Sequence, residues 1–143
     1  MSDGGSDRAT DWQILGLHHV AFAHSAGSGV EAALDKFLGL RASHEESGEG
    51  FTERMLPVAG DCYVQLLEST GDGVVKKFVS QRGSALHHVA FEVTGIEDAV
   101  MALSNAGARL IDERPRPGGE GTRIAFVHPS SFGGLLVELV ERL

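Results

Sequence analysis

The sequence predicts an α+β fold made of two repeated β-α-β-β-β modules. Three observations carry this reading. The hexapeptide Leu17-His18-His19-Val20-Ala21-Phe22 recurs letter for letter as Leu86-His87-His88-Val89-Ala90-Phe91. Each copy is followed by the same helix signature. Each helix is followed by strand-like segments, the last of which overlay as Cys62-Tyr63-Val64-Gln65-Leu66-Leu67-Glu68 on Leu135-Leu136-Val137-Glu138-Leu139-Val140-Glu141. One half of the chain thus reads as a copy of the other.

The elements follow in order. Residues 1–12 are polar and partly acidic and are expected to form a disordered tail. Residues 13–143 are expected to form a single domain, with module one over about 13–69, a linker over about 70–84 and module two over about 85–143. In module one the hexapeptide strand leads into a Gly/Ser-rich loop, His24 to Gly29, expected to be mobile. Ser28-Gly29-Val30-Glu31 reads as a capping box. Val30, Ala33, Leu34, Phe37 and Leu38 make an amphipathic helical stripe, which Gly39 ends. Arg41 to Glu46 reads as a short strand. Glu53 to Val58, a turn at Gly60-Asp61, and Cys62 to Leu67 complete the module. The linker carries a short helix around Val74 to Val79.

Module two repeats the grammar. Thr94-Gly95-Ile96-Glu97 reads as a second capping box, Ile96, Ala99, Val100 and Leu103 as the stripe, and Gly107 as its end. Thr122 to Val127, a turn over Pro129 to Gly134, and Leu135 to Val140 follow. Gly118-Gly119-Glu120-Gly121 lacks the helix and Gly-Lys-Ser/Thr of a phosphate loop and reads as a flexible turn.

Composition bounds the partners. With 143 residues, 42% apolar and 22% charged, the chain is an ordinary globular one able to bury a real core. A net charge of −8 argues against nucleic acid and anionic membranes as partners. No apolar run approaches the roughly 20 residues of a membrane span, and the N-terminus resembles neither a signal nor a transit peptide. The single cysteine excludes an internal disulfide and fits a reducing, cytoplasmic setting. Cys62 sits in an apolar strand pattern and is expected to be a buried, inert thiol. Arg114, Arg116 and Arg123 cluster in sequence and could form a local cationic patch for one anionic ligand.

Side chains alternate across a strand, so the faces can be read. Val20 and Phe22 oppose His19 and Ala21; Val89, Phe91 and Val93 oppose His88, Ala90 and Glu92. Val64 and Leu66 oppose Gln65; Val137 and Leu139 oppose Glu138. The large apolar faces are expected to pack against helices. The opposite faces carry His19, Gln65, His88 and Glu138. A buried polar group is costly unless it is hydrogen-bonded or bound to a metal. Two imidazoles, one carboxylate and one amide oxygen suit a divalent first-row ion with open positions. His18 and His87 point the other way and read as structural. His24 and His44 read as solvated surface residues, and His128 as the partner of a turn hydrogen bond before Pro129.

These residues resemble a known family. Leu86 to Val93, Arg109-Leu110-Ile111-Asp112-Glu113-Arg114-Pro115-Arg116-Pro117-Gly118, Phe126-Val127-His128-Pro129 and Gly133 to Glu141 are similar to the methylmalonyl-CoA epimerases of the vicinal oxygen chelate (glyoxalase/bleomycin resistance/dioxygenase) superfamily. Val64 to Glu68, and Lys77-Phe78-Val79 before Arg82-Gly83, match more loosely. The resemblance covers about residues 15–142. It implies a curved mixed eight-stranded sheet around a metal site. It implies metal ligands at His19, Gln65, His88 and Glu138, the same four reached from the strand faces. It implies acid/base carboxylates at Glu53 and Glu138, a divalent ion such as Co, Mn, Ni or Zn, a CoA thioester as substrate, and a homodimer. The implied reaction interconverts (2R)- and (2S)-methylmalonyl-CoA through a metal-stabilised enolate. From the residues alone Glu53 reads as a solvated edge-strand ion, because Arg54 beside it spoils the alternation. The chain departs from the family at Ser130-Ser131, at Ser69 and in the loop His24 to Gly29, all expected near the rim.

Other functions compete. A glyoxalase I-like lyase or isomerase shares the ligand pattern, but the second-half motifs favour the epimerase. An extradiol dioxygenase wants two histidines and one carboxylate, and Gln65 argues against it. A metal-free small-molecule binding protein of the same fold would not need the four polar groups.

Overall fold

The computed structural model describes residues 11–143; residues 1–10 of the expected tail lie outside them. The described chain runs β1 (Gln13–Ser25), α1 (Val30–Leu38), β2 (His44–Gly48), β3 (Phe51–Pro57), β4 (Tyr63–Ser69), α2 (Val74–Arg82), β5 (Ala85–Thr94), α3 (Ile96–Asn105), β6 (Arg116–Pro117), β7 (Thr122–Val127) and β8 (Val137–Arg142). The α+β class and the two β-α-β-β-β modules are therefore as the repeat predicts. The strands and helices form two compact units, one over His19–His87, the other over 11–18 and 88–143. Strand β1 begins in the second of these and ends in the first. Among the described residues no helix is long and apolar enough to cross a membrane.

In the unit His19–His87 the strand order is β2-β3-β4-β1. Parallel pairing sets Ala21 beside Gln65 and Ala23 beside Leu67. Antiparallel pairing sets Met55 beside Gln65 and Glu53 beside Leu67. These side chains share one face. Ala21, Ala23 and Leu67 are buried there with Val75 of α2, and Phe51, Phe78 and Val79 pack around them. The linker helix thus covers one end of a face that the sequence leaves open.

The helix α1 behaves differently from its expected role. It buries none of its residues, and Phe37 and Leu38 stay exposed. The reason lies on the sheet face that carries Leu56 and Leu66. That face also carries Arg54, which pairs with Glu68, with Glu45 at 3.1 Å and with Glu31 of α1 at 3.6 Å. The Glu68 hydrogen bond, aided by Glu31 and Glu45 and opposed by burial, raises the Arg54 pKa above its ordinary value. Glu31 is the point at which this ion-pair network reaches the helix.

The β2–β3 turn is clamped to the start of the linker. The Gly50 carbonyl accepts hydrogen bonds from Thr70 N–H and Gly71 N–H at 2.9 and 3.2 Å. Gly50 has φ 81°, and a Cβ there would collide with the Asp72 carbonyl oxygen. Gly50→Ala is expected to cost about 2–3 kcal/mol, from left-handed strain plus a backbone clash. Urea unfolding at an unchanged slope measures it; a midpoint equal to the parent's would show that the loop yields freely.

In the other unit the order is β5-β8-β7-β6. Val93, Ala125, Val127, Val137 and Leu139 bury against Ile96, Ala99 and Val100 of α3. Each fully buried Val or Ile contributes roughly 1.5–3 kcal/mol. Trp12 packs against this cluster. Neither expected capping box forms. The cap positions are Gly29 and Gly95, both in the left-handed region. Ser28 Oγ accepts from Val30 N–H, at 3.2 Å, but no side chain caps the helix from Gly29. At α3 the Glu141 carboxylate accepts from Gly95 N–H and Ile96 N–H at 3.0 and 3.4 Å. A carboxylate on β8 does the work expected of Thr94, with its charge placed at the positive helix end.

Candidate metal centre

The sequence-predicted ligands fall on two repeat-equivalent half-sites, one in each unit. In the unit 88–143, parallel β5 and β8 set Ala90 beside Glu138, and β7 sets Phe126 on the other side of Glu138. His88 lies two residues before Ala90, so it shares that face. His88 Nε2 lies 3.0 Å from Glu138 Oε1, with both side chains under a tenth exposed. The Phe126 ring stands edge-on to the His88 ring, 5.2 Å between centroids and 85° between planes. Ala90, fully buried, adds no bulk beside the pair.

The unit His19–His87 repeats this register with other side chains. His19 is buried two residues before Ala21, and Ala21 lies beside Gln65. Met55 takes the position of Phe126. Gln65 Nε2 donates to Met55 Sδ at 3.4 Å. Gln65 Oε1 is buried and meets no hydrogen-bond donor. An unsatisfied buried acceptor costs about 1–3 kcal/mol. A cation removes that cost, and the oxygen is then a neutral ligand. Imidazole, carboxylate and carboxamide oxygen are the donor types that first-row divalent ions take, so the residues present fit such an ion.

Glu53 lies on the same face as Met55 and Gln65, beside Leu67, and is half-buried. It is not an edge-strand ion: β3 is hydrogen-bonded on both sides, to β2 and β4. The Arg54 that obscures the alternation simply occupies the opposite face. The register equivalent of Glu53 in the other unit is Ile124, which lies beside Val140.

The remaining candidates divide. His24 is buried rather than solvated: β1 runs on through Ser25, and the loop folds back so that Ser28 Oγ lies 2.8 Å from His24 Nδ1. His44 is partly buried with Glu46 at 3.5 Å. His128 Nδ1 accepts from Ser130 N–H at 3.0 Å, the expected turn bond. His18 is buried, and His87 packs edge-on to Phe78 at 4.8 Å. Cys62 is only partly buried, because β4 begins one residue after it. Sequence reasoning did not single out Met55 and Phe126 as lining residues. The signal that could have found them is the strand register, which requires knowing the turn lengths.

Comparison with known proteins identifies the family. Residues 18–126 match the profile of the Glyoxalase/Bleomycin resistance protein/Dioxygenase superfamily. An uncharacterized protein of Bacillus subtilis, YqjC, is 35% identical over 130 residues, covering 87% of this chain and 91% of its own. The ethylmalonyl-CoA/methylmalonyl-CoA epimerase of Cereibacter sphaeroides is 31% identical, covering 87% and 96%. The structure of a single-residue variant of Streptomyces coelicolor methylmalonyl-CoA epimerase, in complex with 2-nitronate-propionyl-CoA, superposes with a TM-score of 0.82 at 29% identity, covering 91% of this chain and 96% of that one. With its repeated half-sites and these relatives, the chain belongs to the methylmalonyl-CoA epimerase family of isomerases, within the glyoxalase/bleomycin resistance/dioxygenase superfamily.

Proposed function

We propose that the two half-sites act as one metal centre and that the protein epimerises methylmalonyl-CoA at C2. His19, Gln65, His88 and Glu138 would hold a divalent ion of the Co, Mn, Ni or Zn type. The observation that carries this reading is the buried His88–Glu138 pair with its repeat-equivalent, His19 and a Gln65 oxygen that meets no donor. A divalent ion held there supplies Lewis-acid stabilisation of the negative charge that develops as the C2 proton leaves, worth several kcal/mol.

The chain's own groups then divide the work. Inversion needs a base on each side of the C2 plane: one carboxylate removes the proton, and the other, protonated, returns one to the opposite side. Glu53 and Glu138 are the two assigned here. Glu53 is supported by its face and its partial burial. Glu138 is asked both to ligate and to handle a proton, and coordination makes a carboxylate a poorer base; of its two roles the ligand role is the better supported. Phe126 and Met55 flank the half-sites and exclude water. The substrate is read as a CoA thioester, as for the relatives, the setting as cytoplasmic, and the assembly as a homodimer, for which light scattering should give twice the chain mass.

The deciding experiment is incubation of the metal-loaded protein with one methylmalonyl-CoA epimer in deuterium oxide. Deuterium should enter C2 as the other epimer appears, and both should stop on chelation and return on adding metal back. Protein that takes up no stoichiometric divalent ion would sink the metalloenzyme reading; a metal-loaded protein giving neither exchange nor inversion would leave the family without the reaction.

A further inference from the structure

The sequence places Arg114, Arg116 and Arg123 in one cationic cluster. The structure divides it. Arg116 turns to the Phe126 ring, 5.9 Å from its centroid, and pairs with Asp112 at 2.9 Å. Arg114 and Arg123 line a groove of about 960 Å³ beside α3, and Arg109 joins them there. Three of the chain's 12 Lys and Arg residues thus line one groove of a protein whose net charge is −8.

The groove lies on the side of the sheet away from His88 and Glu138. Arg123 alternates with Ala125 and Val127, which bury against α3, whereas Phe126 and Glu138 share the opposite face. One wall is stapled to β7. His128 N–H donates to the Arg109 carbonyl at 2.8 Å, Ile111 N–H to the Phe126 carbonyl at 2.9 Å, and Phe126 N–H to Asp112 Oδ2 at 2.8 Å. A wall held in this way leaves little ordering cost to binding. The charges differ in their commitments. Arg123 donates to Glu97 at 2.8 Å. Arg109 and Arg114 are exposed, and their guanidinia have no partner among the described residues. Val100, Met101, Leu110 and Pro115 make the lining partly apolar, and Met101 is 57% exposed. Asn105, at the end of α3, adds a carboxamide.

We infer that this groove is a second ligand site, for a free nucleotide of the nucleoside diphosphate class. Each uncommitted guanidinium matches phosphate oxygens with a planar pair of donors. A flat base buries against the exposed Met101 and its apolar neighbours, and the Asn105 carboxamide can both donate to and accept from the base edge. An inorganic anion would leave the apolar lining unused. Glu97 and Glu113 also line the groove and repel an extended polyanion such as nucleic acid. The volume lies in the range of small-molecule sites. The site is separate from the metal face and does not depend on the reaction run there.

The test is calorimetric titration of the metal-loaded full-length protein with ADP, adenosine and inorganic phosphate, with the metal content checked after each run. ADP should bind at one site, roughly tenfold or more tighter than adenosine or phosphate. Arg109→Met and Arg114→Met should each weaken ADP roughly tenfold, as for the loss of one charge-assisted pair. Met101→Asp, at an exposed position, should weaken it as well by repulsion. Arg116→Met, outside the groove, should leave ADP within twofold, and so should saturating malonyl-CoA. Phosphate that binds as tightly as ADP would reduce the groove to an anion patch and overturn the proposal. Displacement of ADP by malonyl-CoA would overturn it by giving the groove to the substrate's own nucleotide end. No ADP binding, or ADP binding unchanged in arginine variants that unfold at the parent temperature, would overturn it too. Binding is read without turnover, so a protein that takes ADP in the groove but fails to epimerise would sink the reaction and leave this site standing.

Discussion

Glu138→Gln is expected to abolish turnover of methylmalonyl-CoA, by roughly a thousandfold or more. The side chain is buried and stands in contact with His88 on a face shared with Ala90 and Phe126. Glutamine keeps the volume and one acceptor, so the fold should persist and circular dichroism should be unchanged. Two losses then separate. As a ligand, the carboxylate supplies negative charge to the ion, so the variant should hold metal more weakly. As a proton carrier it is lost altogether, because an amide does not titrate in water. Activity that returns when metal is saturating would leave Glu138 a ligand only. Activity that stays absent in a fully loaded variant would assign it the proton as well.

Glu53→Gln should separate binding from chemistry more cleanly. It should keep a stoichiometric metal and lower epimerisation by roughly 10²–10⁴-fold, the usual worth of a positioned general acid or base. A two-base arrangement makes a sharper demand. With one base gone, the epimer whose C2 hydrogen faces the surviving carboxylate should still exchange that hydrogen with deuterium, without inverting. The other epimer should do neither. Full activity in this variant would remove Glu53 from the mechanism, and equal loss of exchange from both epimers would argue for a single base.

The faces of the site were legible because a strand alternates with a period of two and needs no knowledge of distant partners. His19 and His88 follow from a repeated hexapeptide, and Gln65 and Glu138 from repeated strand ends. What the chain hid is what depends on pairing. Glu53 looked like an edge ion because the pairing of β3 on both sides is not written in its own residues. Glu141 caps α3 from β8, far along the chain, so Thr94 looked like the better cap. The stripe on α1 is as regular as that on α3, yet it buries nothing, because the sheet beneath it carries Arg54 and its carboxylate partners. His24 sits at the start of a loop whose composition suggests surface, while Ser28 folds back onto it.

Register equivalence between Glu53 and Ile124 has an evolutionary consequence. Both positions sit beside the same kind of residue, Leu67 in one module and Val140 in the other, on backbones of the same path. A duplicated module therefore carries a spare for every position. The module holding Ile124 could keep its apolar side chain while the other acquired a carboxylate, by substitution alone and with no insertion in the sheet. New chemistry on such a scaffold would arise where one copy is free to drift while its twin preserves the shape, which makes the paired positions, rather than the loops, the first place to look when relatives of this chain differ in the reaction they run.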